Sequence, residues 1–216
     1  MKKIIVLIVL TLSFSTFAQK QLLEGKITSK QTMSSDNDQV NGQLALMGDM
    51  QSTTYFKNNK SRSEMSNPMT GDVVTIIDTD AKQMLMLMDN PYAGKKYMLT
   101  PLDPTKEELE KIKVEKSDLK KTILGYDCNQ IYVNADENGQ NMKMEFFVTD
   151  AISAVNENSL MFKDEYKGFP LYMKMEMNQM GSNMTIISEV TEINEESVPD
   201  TKFDLTPPEG YDKMGE

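Results

Sequence analysis

The sequence predicts a mainly β protein (α+β) built on an antiparallel sheet, and three observations support this fold class. Short segments of alternating apolar and polar residues recur along most of the chain. Turn-forming residues separate these segments, as at Asn58-Asn59 and at 79–82, where two strands would meet in a hairpin. Only two short stretches have helical character. Because no repeat or interdomain linker interrupts residues 19–216, we expect them to form one domain.

The first 18 residues predict a cleaved signal peptide. Lys2 and Lys3 precede an apolar run over 4–12, and the small residues Thr16 and Ala18 occupy the positions that a signal peptidase recognises. The run is shorter than the about 20 residues of a transmembrane helix. Gln19 stands where a lipoprotein needs a cysteine, so we expect no lipid anchor. The sequence therefore predicts an exported, soluble, monomeric protein in the periplasm of a Gram-negative bacterium.

The predicted strands follow in order after the signal peptide, and each ends at a turn signal. They cover residues 22–33, 51–57, 60–66, 72–78, 83–89, 95–100, 120–124, 127–134, 142–149, 169–178, 184–194 and 202–205.

Two short helices and one ambiguous segment complete the predicted elements. Thr105 and Glu108 have the spacing of a capping box, which predicts a helix over 104–113, and a second helix is expected over 157–164. The polar stretch 34–42 leads into an apolar one that contains Leu44, Leu46 and Met47. This segment is either a strand with an irregular approach or a mobile flap whose apolar tip covers a cavity.

Composition excludes several function classes. The chain has no histidine and a single cysteine, Cys128, so the commonest general base, the usual zinc ligands and an intramolecular disulfide are all missing. Its net charge is −10, and losing Lys2 and Lys3 with the signal peptide makes it −12, a charge that repels nucleic acid. We therefore expect no enzyme, no cofactor, no metal centre and no nucleic-acid partner.

Methionines are the candidate binding residues, since the chain holds 19 of them and many alternate with polar residues. A period of two places each set on one face of its strand. An unbranched thioether side chain adapts to variable apolar shapes, although an AT-rich coding sequence explains the abundance equally well. The candidate cavity residues are Met84, Met86, Met88, Met142, Met144, Phe146, Met173, Met175 and Met177.

A continuous apolar face must be covered, because large exposed apolar patches are unusual in monomers. Two short helices are few for about ten strands, so either the sheet closes on itself or its concave face receives an apolar guest. An acyl chain would suit such a face at about 0.8 kcal/mol for each buried methylene. A minor alternative is a Cu(I) site of thioethers from Met173, Met175, Met177 and Met180.

Five stretches resemble an exported bacterial family, the domain of unknown function 4412, which is similar to the lipoprotein-localisation carrier superfamily. The stretches are YFK at 55–57, KSRSEM at 60–65, TILGYDC at 122–128, YKGFPLY at 166–172, and FDL followed by PEGY between 203 and 211. The resemblance implies a strongly curved, incomplete antiparallel barrel with short helices plugging its concave side. It also implies a hollow that takes acyl chains, and it makes Arg62, the only arginine, a candidate latch for a lid. A surface ion pair between Arg62 and Glu64 is the alternative.

The sequence thus predicts a non-enzymatic periplasmic protein that binds or carries a lipid or an acylated protein in an apolar half-barrel. The alternative is an envelope interaction or scaffold protein whose barrel is filled by its own helices.

Overall fold

One sheet dominates the structure, a computed structural model that describes residues 20–103, 105, 107, 110–137, 140–160, 168–179 and 181–215. The predicted signal peptide at 1–18 lies outside the described residues. The described strands are β1 Glu24–Ser35, β2 Met50–Lys57, β3 Lys60–Asn67, β4 Gly71–Asp78, β5 Gln83–Asn90, β6 Gly94–Pro101, β7 Ile112–Ile123, β8 Tyr126–Glu137, β9 Gln140–Thr149, β10 Phe169–Gln179, β11 Ser182–Asn194 and β12 Asp212–Lys213.

The strand order is β12-β6-β5-β4-β3-β2-β1-β11-β10-β9-β8-β7, so the sheet stays open with edges at β12 and β7. Two antiparallel meanders, β1 to β6 and β7 to β11, are joined where β1 pairs with β11. The two-residue β12 adds in parallel to β6. The predicted mainly β architecture is confirmed in this form, as one large open sheet.

Local turn chemistry explains why the meanders form. Asn58 takes a positive φ of 52° between β2 and β3, which an asparagine tolerates better than most residues. Between β4 and β5, the Asp78 carboxylate accepts hydrogen bonds from the backbone N–H groups of Asp80 and Ala81 at 3.0 and 2.9 Å. The sequence predicts both of these hairpins.

The helices are short. Helix α1 spans Asp38–Met47, with Asn37 as N-cap accepting from the N–H groups of Gln39 and Val40, and α2 spans Glu157–Leu160. The strand expected within 34–50 is therefore wrong, because helix α1 occupies the apolar stretch. Among the described residues, no helix has the length and apolar character required to cross a bilayer.

Three predicted elements are corrected or only partly described. The helix expected over 104–113 ends early because Ile112 and Lys113 already pair with β8, although Glu107 and Glu110 are helical. Residues 104, 106, 108 and 109, like 161–164 of the second predicted helix, lie outside the described residues. The strand expected over 202–205 is wrong: a 3-10 helix, Asp200–Phe203, buries Phe203 instead.

The C-terminal residues 195–215, which we call the strap, cross one face of the sheet from β1 to β6. Val198 and Phe203 pack there against Ile76, Leu85 and Leu87, with all five side chains buried. At the ends of the strap, Glu24 on β1 accepts from the Val198 N–H at 2.6 Å, and Lys96 on β6 pairs with Asp212. The strap therefore covers this face over β1 to β6, which leaves the opposite face of the same strands for a site.

Candidate functional site

All nine side chains predicted to line a cavity project from one face of the sheet, which we call the methionine face. Residues directly opposite each other on neighbouring strands project to the same side. In the pairing of β9 with β10, Met144 lies opposite Met175 and Phe146 lies opposite Met173. Alternation along each strand adds the remaining members of these two sets, Met142 and Met177.

The β5 methionines reach the same face through the cross-strand register. Met86 lies opposite Thr75 on β4, Thr75 lies opposite Ser63 on β3, and Ser63 lies opposite Thr54 on β2. Met84 and Met88 alternate with Leu85 and Leu87, which point to the strap side. The leucines of β5 are buried and its methionines are half-buried.

The register continues from β2 to β10 without changing face. On β2, Met50 shares its side with Thr54, and Gln31 on β1 lies opposite both Met50 and Ser188 of β11. Ser188 in turn lies opposite Met173. One face thus runs unbroken from β5 to β9.

A cavity of about 230 Å³ opens on the methionine face. It is lined by residues from seven strands, from α2 and from Asn156, which precedes this helix. They are Ser29, Gln31, Ser52, Thr54, Ser63, Met65, Val73, Thr75, Met86, Asn156, Glu157, Asn158, Phe169, Pro170, Met173 and Ser188. Met86 and Met173 are the two predicted cavity residues that the described lining includes.

The lining differs from the uniformly apolar surface expected, because hydroxyl groups occupy its centre. Ser52, Thr54, Ser63, Thr75 and Ser188 belong to it, and apolar side chains border them. Sequence reasoning missed this row. Its signal was the same period of two that identified the methionines, with Ser or Thr in place of Met on β2, β3 and β4.

One wall of the cavity comes from the segment that follows β9. Leu22 donates to the carbonyl of Ala151 at 2.7 Å and accepts from Ser153 at 3.0 Å, which ties the segment to the start of β1. The Val155 N–H then donates to Ser61 Oγ on β3 at 2.8 Å. The segment therefore crosses the methionine face and delivers Asn156, Glu157 and α2 to the cavity.

The part of the methionine face over β8 to β10 is filled by the chain itself. Phe146, Met144 and Met173 are 0%, 3% and 8% exposed and pack with Ile131 and Val133. Met142 and Met175 pack half-buried against the same cluster, and Met177, opposite Met184, is also half-buried. Met173 also belongs to the cavity lining, so the packed cluster and the cavity adjoin.

The residues predicted as a lid lie elsewhere. Leu44 and Leu46 belong to α1, and Leu46 is 78% exposed. Asn41 fixes the helix to the end of β1, since its side chain exchanges two hydrogen bonds with the backbone of Ser35 at 2.7 and 2.6 Å. Met47 ends the helix. Neither leucine is among the described residues that line the cavity.

Arg62 projects from the strap side of β3 and holds the strap. Its Nε donates to Glu64 Oε1 at 2.6 Å, the same oxygen accepts from Lys202 Nζ at 3.1 Å, and the Lys202 ammonium lies 4.1 Å from the centre of the Tyr55 ring. Burial opposes ionisation of Glu64, but the hydrogen bonds from Arg62 and Lys202 outweigh it and lower the pKa of the carboxyl. The geometry matches the expected ion pair between Arg62 and Glu64, and Lys202 connects this pair to the strap.

The thiol does not form a reactive centre in the described part of the chain. Cys128 is 1% exposed, and burial raises the pKa of its thiol to about 11, so it stays protonated. No three carboxylate or thiol groups of the described residues lie close enough to share a metal ion. Of the proposed copper ligands, Met173 is packed in an apolar cluster and Met180 lies outside the described residues.

Comparison with known proteins gives one family match and no curated match. The family model described as Domain of unknown function (DUF4412) matches residues 39–211. Among solved structures, PNGF-II in space group P21 is similar with a TM-score of 0.49 and 13% identity, over 89% of this chain and 31% of that one. Its C2 crystal form gives 0.46 and 13%, over 88% and 30%. The chain thus spans less than a third of the PNGF-II chain. The lipoprotein LppX of Mycobacterium tuberculosis gives 0.31 and 6%, over 80% and 88%.

Proposed function

The chain belongs to the family of the domain of unknown function DUF4412, as its sequence predicts, and from this premise and the cavity geometry we propose that it is an exported, non-enzymatic binding or carrier protein. Its ligand is a lipid or an acylated molecule held on the methionine face. The proposal rests on one observation: Met86 and Met173 line the same cavity. The resemblance to lipoprotein-localisation carriers implies the same role, a hollow that takes acyl chains.

The position of this cavity supports a bent sheet. Met86 lies on β5 and Met173 on β10, and the strands β4, β3, β2, β1 and β11 separate them. Strands lie about 4.8 Å apart, so six spacings would place the two methionines roughly 29 Å apart on a flat sheet. That span greatly exceeds the width of a compact 230 Å³ cavity. We therefore infer the incomplete, strongly curved barrel that the sequence predicts.

The chemistry of the face supports an acyl ligand. Methionine side chains repack around different apolar shapes at little cost, and each methylene removed from water contributes about 0.8 kcal/mol of gross driving force. Six methylenes laid along Met84, Met86 and Met88 would contribute about 5 kcal/mol before the cost of association is counted. The half-buried state of these three side chains leaves them accessible for such contact.

The export prediction sets where this binding would occur. A signal peptide at 1–18 would deliver the chain to the periplasm, where a free thiol is exposed to oxidation. Burial of Cys128 protects it there. A soluble acidic protein with an acyl-binding face is suited to moving apolar molecules through an aqueous compartment.

Lipid co-purification tests the proposal. The protein, expressed with its own leader and isolated under mild conditions, should carry lipid detectable by mass spectrometry of its organic extract. Met86→Asp and Met175→Asp should abolish the loading, because each places a carboxylate on the methionine face. Met69→Asp is the matched control, since Met69 lies 53% exposed in the β3–β4 turn and should load normally. Protein that is lipid-free and also fails to bind added acyl probes would refute the carrier function.

A scaffold role is the second candidate, and the burial of Phe146, Met144 and Met173 favours it. If the whole methionine face is filled by the chain in the same way, the acyl probes should fail. Crosslinking in intact cells should then capture a protein partner.

A further inference from the structure

We propose that the cavity on the methionine face binds the uncharged, hydrogen-bonding head of an amphiphile, such as a glycerol ester, and discriminates against anionic heads. This inference rests on the proposed function and specifies its ligand class. The alkyl chain of the same molecule lies along the methionines that border the cavity.

A row of hydroxyl groups crosses the cavity. Thr54, Ser63 and Thr75 lie opposite one another on three neighbouring strands, and all three belong to the lining. Thr54 and Thr75 are each 6% exposed, so their hydroxyl groups lie deep in the face. A hydroxyl group both donates and accepts hydrogen bonds, as does the head of a glycerol ester. The row can therefore replace the water that such a head loses.

The charges around the cavity oppose an anion. Among the described residues of the lining, Glu157 is the single ionisable side chain, and it is acidic. An anionic head would enter without a compensating cation, and removing an anion from water without such a partner is unfavourable. The net charge of −10 adds long-range repulsion.

The cations on the same strands point away from the cavity, and three of them form ion pairs on the opposite side of the sheet. Lys30 follows Ser29 and pairs with Asp49 at 2.7 Å, Lys57 pairs with Asp200 at 2.8 Å, and Lys60 pairs with Asp78 at 3.0 Å. Alternation along each strand fixes this arrangement, because a residue next to a lining residue projects from the other face. The cations of these strands thus lie on the face opposite to the cavity.

The size of the cavity fits a head group rather than a whole lipid. Its 230 Å³ falls below the about 300–1,000 Å³ of pockets that enclose drug-sized ligands. Met65, Val73 and Met86 border the hydroxyl row on one side, and Phe169 and Met173 border it on the other. These side chains offer the apolar surface on which the alkyl chain leaves the cavity.

Three probes with one oleoyl chain test the inference: monooleoylglycerol, oleate and oleoyl lysophosphatidylglycerol. Titrated below their aggregation concentrations into the delipidated full-length mature protein at pH 7.5, the glycerol ester should bind at least about ten-fold more tightly than either anion. Thr75→Val, nearly isosteric, should weaken glycerol-ester binding about five-fold and leave oleate binding unchanged. A folded Ser63→Lys should reverse the preference in favour of oleate.

Ser66→Lys is the matched control, because Ser66 lies on the same strand but projects from the opposite face, where it bonds Asp72. It should keep the wild-type preference. Anions that bind as tightly as the glycerol ester would overturn this inference and leave the carrier function standing. Failure of all three probes would overturn both. Should Ser63→Lys fail to fold, Thr75→Val alone decides: equal loss for ester and oleate contradicts a role for its hydroxyl.

Discussion

Glu64 shows how a single residue links the sheet to the strap. Its carboxylate accepts from Arg62 on its own strand and from Lys202 on the strap, and these bonds lower its pKa despite partial burial. A carboxyl whose pKa is lowered on folding stabilises the folded state above its unfolded pKa, near 4.5. That contribution disappears as the pH falls through the lowered value.

Glu64→Gln should therefore reduce the free energy of unfolding most at neutral pH. Chemical denaturation between pH 3 and 7 should show a difference from wild type that is constant above about pH 5 and narrows below pH 4.5, because protonation removes the same contribution from wild type. The exposed Glu209→Gln should change stability little at any pH. A difference that widens on acidification would contradict the role of the Arg62–Glu64–Lys202 cluster.

Helix α1 can be tested as a single element, because the glycine inside it and the glycine that caps it adopt different backbone conformations. Gly42 lies inside the helix, whereas Gly48 caps it with φ 68° and ψ −175°, a conformation that suits glycine alone. A Cβ at either position would meet nothing within 4 Å. Alanine at Gly42 and alanine at Gly48 should therefore differ in their effect only through the backbone conformation at each position.

Gly42→Ala should raise the free energy of unfolding by about 0.5–1 kcal/mol, since alanine favours helix more than glycine does. Gly48→Ala should lower it by about 1–3 kcal/mol because of the strained backbone. Urea denaturation of both variants measures the two changes. Equal effects of the two substitutions would mean that α1 does not form as described.

Among the elements, hairpin strands were predictable and the helix at 38–47 was not. The two turns at 58–59 and 79–82 mark β2 to β5 directly in the sequence. Helix α1 has a single apolar turn, Leu44 to Met47, and the polar residues and Gly42 before it show no helical period. The first half of β7 was missed because its many lysines suit a sheet edge, where charge prevents unwanted pairing, but do not resemble a buried strand.

At the scale of the whole molecule, the methionine face divides into a packed half and an accessible half. Phe146 is fully buried among the side chains of β8 to β10, whereas Met86 is half-buried beside the cavity. Phe146→Ala should cost about 3–5 kcal/mol of stability. Met86→Ala should cost about 1 kcal/mol and weaken acyl binding instead.

Thermal unfolding and probe titration of the two variants separate these roles. If Met86→Ala destabilises the protein as much as Phe146→Ala does, then the β5 methionines are core residues. That result would favour the scaffold role over the carrier role.

Only part of the candidate site could be predicted from the sequence, because some of its residues lie far apart along the chain. Alternation within a strand identified the face of each methionine, since that pattern is local. The pairing of β1 with β11, which joins Gln31 to Ser188, brings together residues more than 150 positions apart. No local pattern encodes such a pairing. The cavity, its hydroxyl row and the crossing segment at 150–156 therefore emerged only with the structure.

Photo-crosslinking with a diazirine-bearing acyl glycerol, followed by peptide mapping, tests whether the methionine face binds an acyl ligand. Labels should concentrate on Met86, Met173 and their neighbours at the cavity and should be displaced by unlabelled monooleoylglycerol. Labels spread over exposed apolar residues such as Leu46, Tyr92 and Leu124, with no displacement, would contradict a binding site on the methionine face.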